Sequence, residues 1–370
     1  MSALNIKQID NSIYTICGID ALYYYLKINF SHYTQFYNNC FLTNASQIGA
    51  FTRTSENWLK QFTYFELRHP SNNLVMARIG FKNLNSRDNL DSVKVQMDTF
   101  YMNTTGILQS YYDVVEQIEA LGLQVGKSKV SRIDLNTYVY GYDFSYLEYF
   151  YFSTLVRSNT KIYNGAKDRL ETFYLGKRES SAPYMRIYNK WSELMAKDEN
   201  QKKQSLIRYK FLEQYNIHLD IDIPLWNVEF ELKREFLKSY KIDTVEQCLQ
   251  SVNVLHNELV KKRMRLMTRK RKEDENHTDR IPTAPIWETI ETNYNFQDSN
   301  VPLDKLIPVK YVKDLTWALN RIEDYWKDNI DNLTPTQFLQ AVNEKVTQLF
   351  KEDNLLKKEN TPYNINILTD

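Results

Sequence analysis

The stretch WNVEFELKREF, residues 226–236, alternates strictly before it changes character: Asn227, Glu229, Glu231 and Lys233 on one side, Val228, Phe230 and Leu232 on the other. Side chains of an extended strand point to opposite faces in turn, so this is the pattern of a strand with one apolar side. Two earlier stretches share it. In VSRIDLNT (130–137), Ile133 and Leu135 oppose Arg132, Asp134 and Asn136. In YMRIYNK (184–190), Met185 and Ile187 oppose Tyr184, Arg186, Tyr188 and Lys190. If the strands share a sheet, three carboxylates and three cations meet a tyrosine on one surface. That surface reads in two ways. It is an ordinary solvated sheet face, whose ion pairs contribute little, or its oxygens hold a hard divalent cation such as Mg²⁺ or Mn²⁺.

Outward from these strands the chain alternates strands and helices. Residues 56–69, 73–81, 92–102 and 171–176 are rich in aromatic and β-branched residues and are expected as strands. Helical spacing of Ile107, Leu108, Tyr111, Val114, Val115, Ile118 and Leu121 predicts a helix over 106–122, ending at Gly122. Further helices are expected over 143–157, with Asp143 as N-cap, and over 203–217. Strand 226–236 runs on into helical sequence. From Thr244 the texture is helical, with Leu249, Val252, Leu255 and Leu259 on one stripe, followed by a polar, proline-bearing linker at 272–285. Two amphipathic helices follow at 311–330 and 334–356, the second opening on Thr334 and Pro335. The fold class is α+β: a mostly antiparallel sheet flanked by helices, with a helical C-terminal region. Its expected parts are 1–128, completing the core; 129–243, bearing the three strands; 244–275, basic and helical; and 285–370, helical.

Composition narrows the function. At 370 residues, 42% hydrophobic and 25% charged, the chain is expected to be globular, with two or three structural units. The absence of any run of about 18 apolar residues or of a leader-like start predicts a cytoplasmic protein with no membrane partner. Three widely spaced cysteines exclude a cysteine-rich zinc module. The net charge of +1 carries no global signal for nucleic acid. A local one is KKRMRLMTRKRK, residues 261–272, where Lys261, Lys262, Arg263, Arg265, Arg269, Lys270, Arg271 and Lys272 are expected to contact DNA phosphates; a solvated helix end is the plainer reading. With 27 tyrosines in the chain, no single one stands out by type.

RIDLNTY (132–138), FYLGKRESSAPYMRIYNK (173–190) and WNVEFELKREF (226–236) resemble, in order and spacing, successive signature blocks of the Rep_trans-type rolling-circle replication initiators of plasmids and phages, whose relatives include relaxases of integrative elements. The resemblance covers roughly residues 90–240. After RIDL the family carries a small residue and an acid where this chain has Asn136, Thr137 and Tyr138, and Glu179 stands near a common lysine. No two histidines flank a single apolar residue, which separates the chain from initiators with a two-histidine metal site.

The resemblance implies that Tyr188 attacks a phosphodiester, leaving a 5′-phosphotyrosine and a free 3′-OH that a polymerase extends, and that the reverse reaction rejoins the strand. Tyr184, one pleat away, exchanges with Tyr188 under a register error. A metal on Asp134, Glu229 and Glu231 would polarise the phosphate. Arg186 and Lys190 would contact it, their charge lowering the tyrosine pKa, and Arg132 and Arg178 would contact phosphates further along. Lys190 and Glu231 both remain open as general base. Implied partners are an origin with inverted-repeat or hairpin character, a second copy of the chain and a host replicative helicase. A conjugative relaxase shares this chemistry. A non-catalytic winged-helix initiator is the reading from another class, and it gives no reason for acids at alternate positions opposite a tyrosine.

Overall fold

A computed structural model of the chain describes residues 12–41, 46–55, 59, 61–84, 92–156, 161–164, 170–178, 180–196, 201–298, 334 and 337. The chain divides into two units, Met1–Ile307 and Pro308–Asp370. In the first, β1 (Tyr14–Ile28) leads through α1 (Phe30–Phe41) to short β2 (Gln47–Ile48) and β3 (Phe51–Arg53). Then come β4 (Phe62–Arg68), β5 (Val75–Lys82), β6 (Ser92–Met97), α2 (Thr99–Thr105) and α3 (Ile107–Glu119). The long strand β7 (Val125–Tyr140) precedes β8 (Phe152–Thr154), β9 (Lys161–Asn164), β10 (Leu170–Leu175) and β11 (Tyr184–Asn189). Next are α4 (Lys190–Met195), α5 (Gln201–Tyr215), β12 (Leu225–Lys233), α6 (Arg234–Ser239) and α7 (Val245–Glu258). Last come β13 (Met264–Leu266) and α8 (Pro285–Asn293).

One antiparallel sheet of 11 strands, in the order β2-β3-β4-β5-β6-β1-β7-β12-β11-β10-β9, carries the unit, so the fold is α+β. Both the segment before residue 128 and the segment after it supply strands to it. The apolar sides of β7, β11 and β12 face the main core: Ile133, Leu135, Met185, Ile187, Val228, Phe230 and Leu232 are fully buried with residues of α3, α7 and α8. The opposite face is covered over part of its area by α4 and α5, where Trp191, Leu194, Ile207 and Phe211 pack on Tyr138 and Tyr140. This second cover keeps water from the end of the face where Tyr138 lies in the same cross-strand row as Asn227 and Tyr188.

Several expectations are corrected. Residues 143–156 form no α-helix: Asp143 accepts from Ser145 N in a tight turn, only a short 3-10 turn forms at Tyr149–Tyr151, and β8 pairs with β13. Phe152 stacks on Phe173 and packs edge-on against Trp287, so aromatic partners distant in sequence override local helical spacing. The expected strand over 92–102 stops at Met97, because Asp98 caps α2 by accepting from Tyr101 N. Helix α7 does not run through the basic stretch; it widens over Leu259–Arg263 and then turns into β13. The expected linker folds back onto the body, with Ile281 and Ala284 buried and Thr283 bridged to Met267. Of the expected C-terminal helices, only Thr334 and Gln337 are among the described residues, and they exchange the reciprocal hydrogen bonds of a capping box. The remainder of 311–356 lies outside the described residues. Among the described residues, no helix is long and apolar enough to cross a membrane.

One buried group in this core predicts a pH dependence of stability. His256, 1% exposed, lies flat on the Tyr294 ring at 3.5 Å and edge-on to Phe230, and burial pushes its imidazole down to about 3. Its folded value is depressed, so the stability it contributes is present above the unfolded value of 6.5 and is lost as pH falls toward the folded one. Within that window the native chain is expected to lose about 1.4 kcal/mol per pH unit from this group. Urea unfolding between pH 7 and pH 4 checks this: His256→Phe should flatten the acid limb relative to the native chain.

Candidate active site

Register, which cannot be read along a single strand, brings the polar sides of the three strands together. Across β11, β12 and β7, Tyr184 pairs with Glu231 and Glu231 with Asp134; Arg186 pairs with Glu229 and Glu229 with Asn136; Tyr188 pairs with Asn227 and Asn227 with Tyr138. The carboxylates among them are not solvated. Asp134 is 1% exposed, Glu229 0% and Glu231 2%, which removes the reading of an ordinary wet sheet face.

Buried carboxylates require partners. Arg132 grips Asp134 with Nε at 2.7 Å and with Nη2, which also reaches Glu231 at 2.9 Å. Arg178 adds a bond to Glu231 at 3.1 Å. Arg186 donates to Glu229 and stands 3.8 Å from Asp134. Even so, burial, reinforced by Glu229 and Glu231 and opposed by Arg132, pushes the Asp134 carboxyl up to about 8.

Tyr188 stands at the end of this row. Its hydroxyl receives hydrogen bonds from Asn227 Nδ2 at 2.8 Å and Lys190 Nζ at 3.2 Å and donates to Glu229 Oε2 at 3.2 Å. With Arg186, Asp20, Thr172 and Glu193 it lines an open cleft of about 430 Å³. Tyr184, the alternative, stacks on Tyr174 at 5.7 Å and does not line that cleft. The expected lowering of the Tyr188 pKa is corrected: burial, then Glu229, Asp20 and Glu193, push the phenol well above its usual value. It is held protonated until something takes the proton. A second correction concerns Lys190, which is not on the strand. Asn189 ends β11 by capping α4, and Lys190 is the first helical residue, its ammonium reaching back to Tyr188.

The donor set suits a hard divalent cation. It consists of carboxylate and amide oxygens, and Glu231 Oε1 is buried with no hydrogen-bond partner, the Lys233 ammonium standing 3.6 Å from it. As placed, no group of three or more acidic, histidine or cysteine side chains among the described residues stands together closely enough to hold an ion. Arg132 and Arg186 take the carboxylates instead, so metal entry at Asp134, Glu229 and Glu231 means displacing a guanidinium.

The basic stretch is mostly spoken for within the chain. Lys261 pairs with Glu291, Lys262 and Arg263 with Glu258, Arg269 with Glu275 and Lys270 with Glu148. Arg265 donates to the carbonyls of Ile281 and Thr278, and Arg271 lies over the Tyr149 ring. Lys272 donates its backbone N–H to Glu275. Sequence reasoning passed over Asp20 and Glu193, which line the cleft, and Lys203, which pairs with both. Asp20 lies on β1, whose alternation is broken around it by a bulge between Ile19 and Ala21, although the run YTICGIDALYYYLKI is rich in strand-forming residues.

No protein-family model and no curated protein matches the chain. Among solved structures, the rolling circle replication initiator protein from Geobacillus stearothermophilus matches it with a TM-score of 0.41 and 11% identity, over 75% of this chain and 96% of that one.

Proposed function

We propose that the chain nicks one DNA strand at a rolling-circle origin by transesterification onto Tyr188, giving a 5′-phosphotyrosine and a 3′-OH, and later rejoins the strand. The observation that carries this reading is the Tyr188 hydroxyl: it lines an open cleft and contacts a cation, an amide and a buried carboxylate at once. A packing tyrosine needs one hydrogen-bond partner and no cleft. The motif order of the initiators supports the same assignment, since its three blocks fall on β7, β10–β11 and β12, four strands adjacent in the sheet. A non-catalytic winged-helix protein has no use for three buried carboxylates beside such a hydroxyl.

This chain's own groups do most of the work. Asn227 and Glu229 fix the phenol oxygen, and Arg186, at the cleft wall, receives the scissile phosphate. Asp134, Glu229 and Glu231 would hold Mg²⁺ or Mn²⁺, which when bound supplies positive charge to a non-bridging phosphate oxygen. A hairpin-forming or inverted-repeat origin, self-association, a helicase partner and a cytoplasmic setting belong to the same proposal.

Incubation with supercoiled plasmid carrying the chain's own origin, with Mg²⁺ or Mn²⁺, tests the reading. Open circles with protein on the 5′ end are expected after denaturation; linear products or free 5′-phosphates contradict it. Among the cations at the site, Arg178 is the most open, its side chain 50% exposed. Arg178→Ala is therefore expected to weaken origin binding and to lower the salt dependence of log K by roughly 0.7–0.9, read by fluorescence anisotropy across a salt series.

A further inference from the structure

A second set of charges, contributed by elements outside the carboxylate row, meets Tyr188. Lys190, 0% exposed, donates to the Tyr188 hydroxyl at 3.2 Å and pairs with Glu193. It lies over the rings of Tyr188 at 5.1 Å and Tyr138 at 5.4 Å. Lys203, from α5, stands 3.4 Å from the other Glu193 oxygen and 3.2 Å from Asp20 on β1. The groups around Lys190 are thus Tyr188 on β11, Tyr138 on β7, Asp20 on β1, Glu193 on α4 and Lys203 on α5, with Glu229 on β12 reached through the tyrosine hydroxyl.

Two lysines share Glu193, but only Lys203 also holds Asp20. Burial pushes Lys190 down to about 8, Lys203 adds to that, and Asp20 and Glu193 only partly oppose it. Burial works against Lys203 as well, yet Asp20, Tyr138 and Glu193 outweigh it and hold this lysine well above its ordinary value. The asymmetry follows from the pairing: Lys203 keeps its proton and its charge drives the neighbouring ammonium toward the amine. A lysine can take a proton only as the amine, and a protonated phenol needs a proton acceptor in contact.

Building on the assignment of Tyr188 as nucleophile, we infer that Lys190 accepts the phenolic proton during strand cleavage and that Lys203, anchored by Asp20 and Glu193, is a positioning residue that keeps Lys190 in its amine form. In cleavage, the Tyr188 oxygen forms a bond to phosphorus as its proton moves to Lys190 Nζ. The bond from phosphorus to the 3′-oxygen breaks, and that oxygen leaves with the electron pair and takes a proton from solvent. In rejoining, the 3′-OH attacks and releases its proton to solvent, and the Lys190 ammonium returns a proton to the departing phenolate. Nothing is oxidised or reduced.

The test is single-turnover cleavage of a pre-bound oligonucleotide carrying the chain's own origin, followed against pH. The native rate is expected to rise with pH and level off above about 8. Lys203→Met removes the neighbouring charge, so the plateau moves to higher pH, and below it the rate at a fixed pH drops ~10-fold for each unit of displacement. Lys203→Arg keeps the charge and is expected to keep the native profile. Lys190→Arg cannot supply an amine in this range and is expected to lose a factor of about 10² or more without a plateau near 8. A Lys203→Met profile lowered equally at every pH, or unmoved, overturns the inference, as does native cleavage by Lys190→Arg. Tyr188→Phe run alongside separates the two levels. If it still cleaves, the nucleophile assignment has failed; if it is inactive while the lysine variants behave as native, only the proton acceptor has been misassigned.

Discussion

Tyr188→Phe is expected to bind its origin as tightly as the native chain and to cleave it more slowly by a factor on the order of 10⁴ or greater. The substitution removes one oxygen and no bulk, so the ring keeps its place between β10 and β12 and the cleft keeps its shape. What is lost is the only atom in that position able to hold the phosphate covalently. Asn227 Nδ2 loses its 2.8 Å acceptor but retains Glu229 Oε2 at 3.4 Å, so the cost in stability is expected to be about 1 kcal/mol. Tyr184→Phe is the matched comparison. That ring packs against Tyr174 outside the cleft, and its variant is expected to cleave within a fewfold of the native rate. Gel assays of nicking and anisotropy measurements of binding, on the same preparations, separate the two effects.

Glu229→Ala is expected to abolish cleavage and also to lower stability by about 3–5 kcal/mol. Glu229 is wholly buried between Arg186 and Tyr188, and Arg186 is itself only 24% exposed. Removing the carboxylate leaves a largely buried guanidinium whose nearest remaining carboxyl is that of Asp134, at 3.8 Å, itself held toward its protonated form. This is the costly half of a buried pair: the lost attraction is modest beside the desolvated charge left behind. Glu229→Gln retains one acceptor oxygen, enough for Arg186, and replaces the other with an amide N–H₂ toward Tyr188; it is expected to recover part of the stability but not the activity. The gap between the two variants in urea midpoint measures the charge term, and a Glu229→Ala midpoint equal to native would show that the carboxylate is not held as described.

The faces of β7, β11 and β12 were legible because each apolar side chain alternates with a polar one, and the structure buries Ile133, Leu135, Met185, Ile187, Val228, Phe230 and Leu232 together. The register was not legible. That Asp134 lies opposite Glu231 and Glu229 opposite Asn136 depends on strand pairing between segments roughly 90 residues apart, which no local pattern records. Strand β1 was missed because its alternation, regular from Leu22 to Ile28, is broken in the half that bears Asp20, where a bulge between Ile19 and Ala21 shifts the register. Lys203 meets Asp20 and Glu193 because α5 packs on the polar face through Ile207 and Phe211, a contact made by the whole domain. Lys190 was read as a strand residue because the cap at Asn189, which turns the chain into α4, lies inside a run that looks extended. For the basic run at 261–272, expected to contact DNA phosphates, the ion-pair partners Glu148, Glu258, Glu275 and Glu291 were not legible because they are spread along the chain.

The central claim is a covalent bond between one phenolic oxygen and DNA. The native chain is trapped on a suicide oligonucleotide of its own origin, digested with trypsin and nuclease, and the adduct is located by peptide mass spectrometry. The account predicts a nucleotide phosphate on Tyr188 within the peptide running from Ile187 to Lys190, and no adduct elsewhere. A phosphate found on Tyr184 or on any other residue, or cleaved DNA carrying no peptide at all, contradicts it.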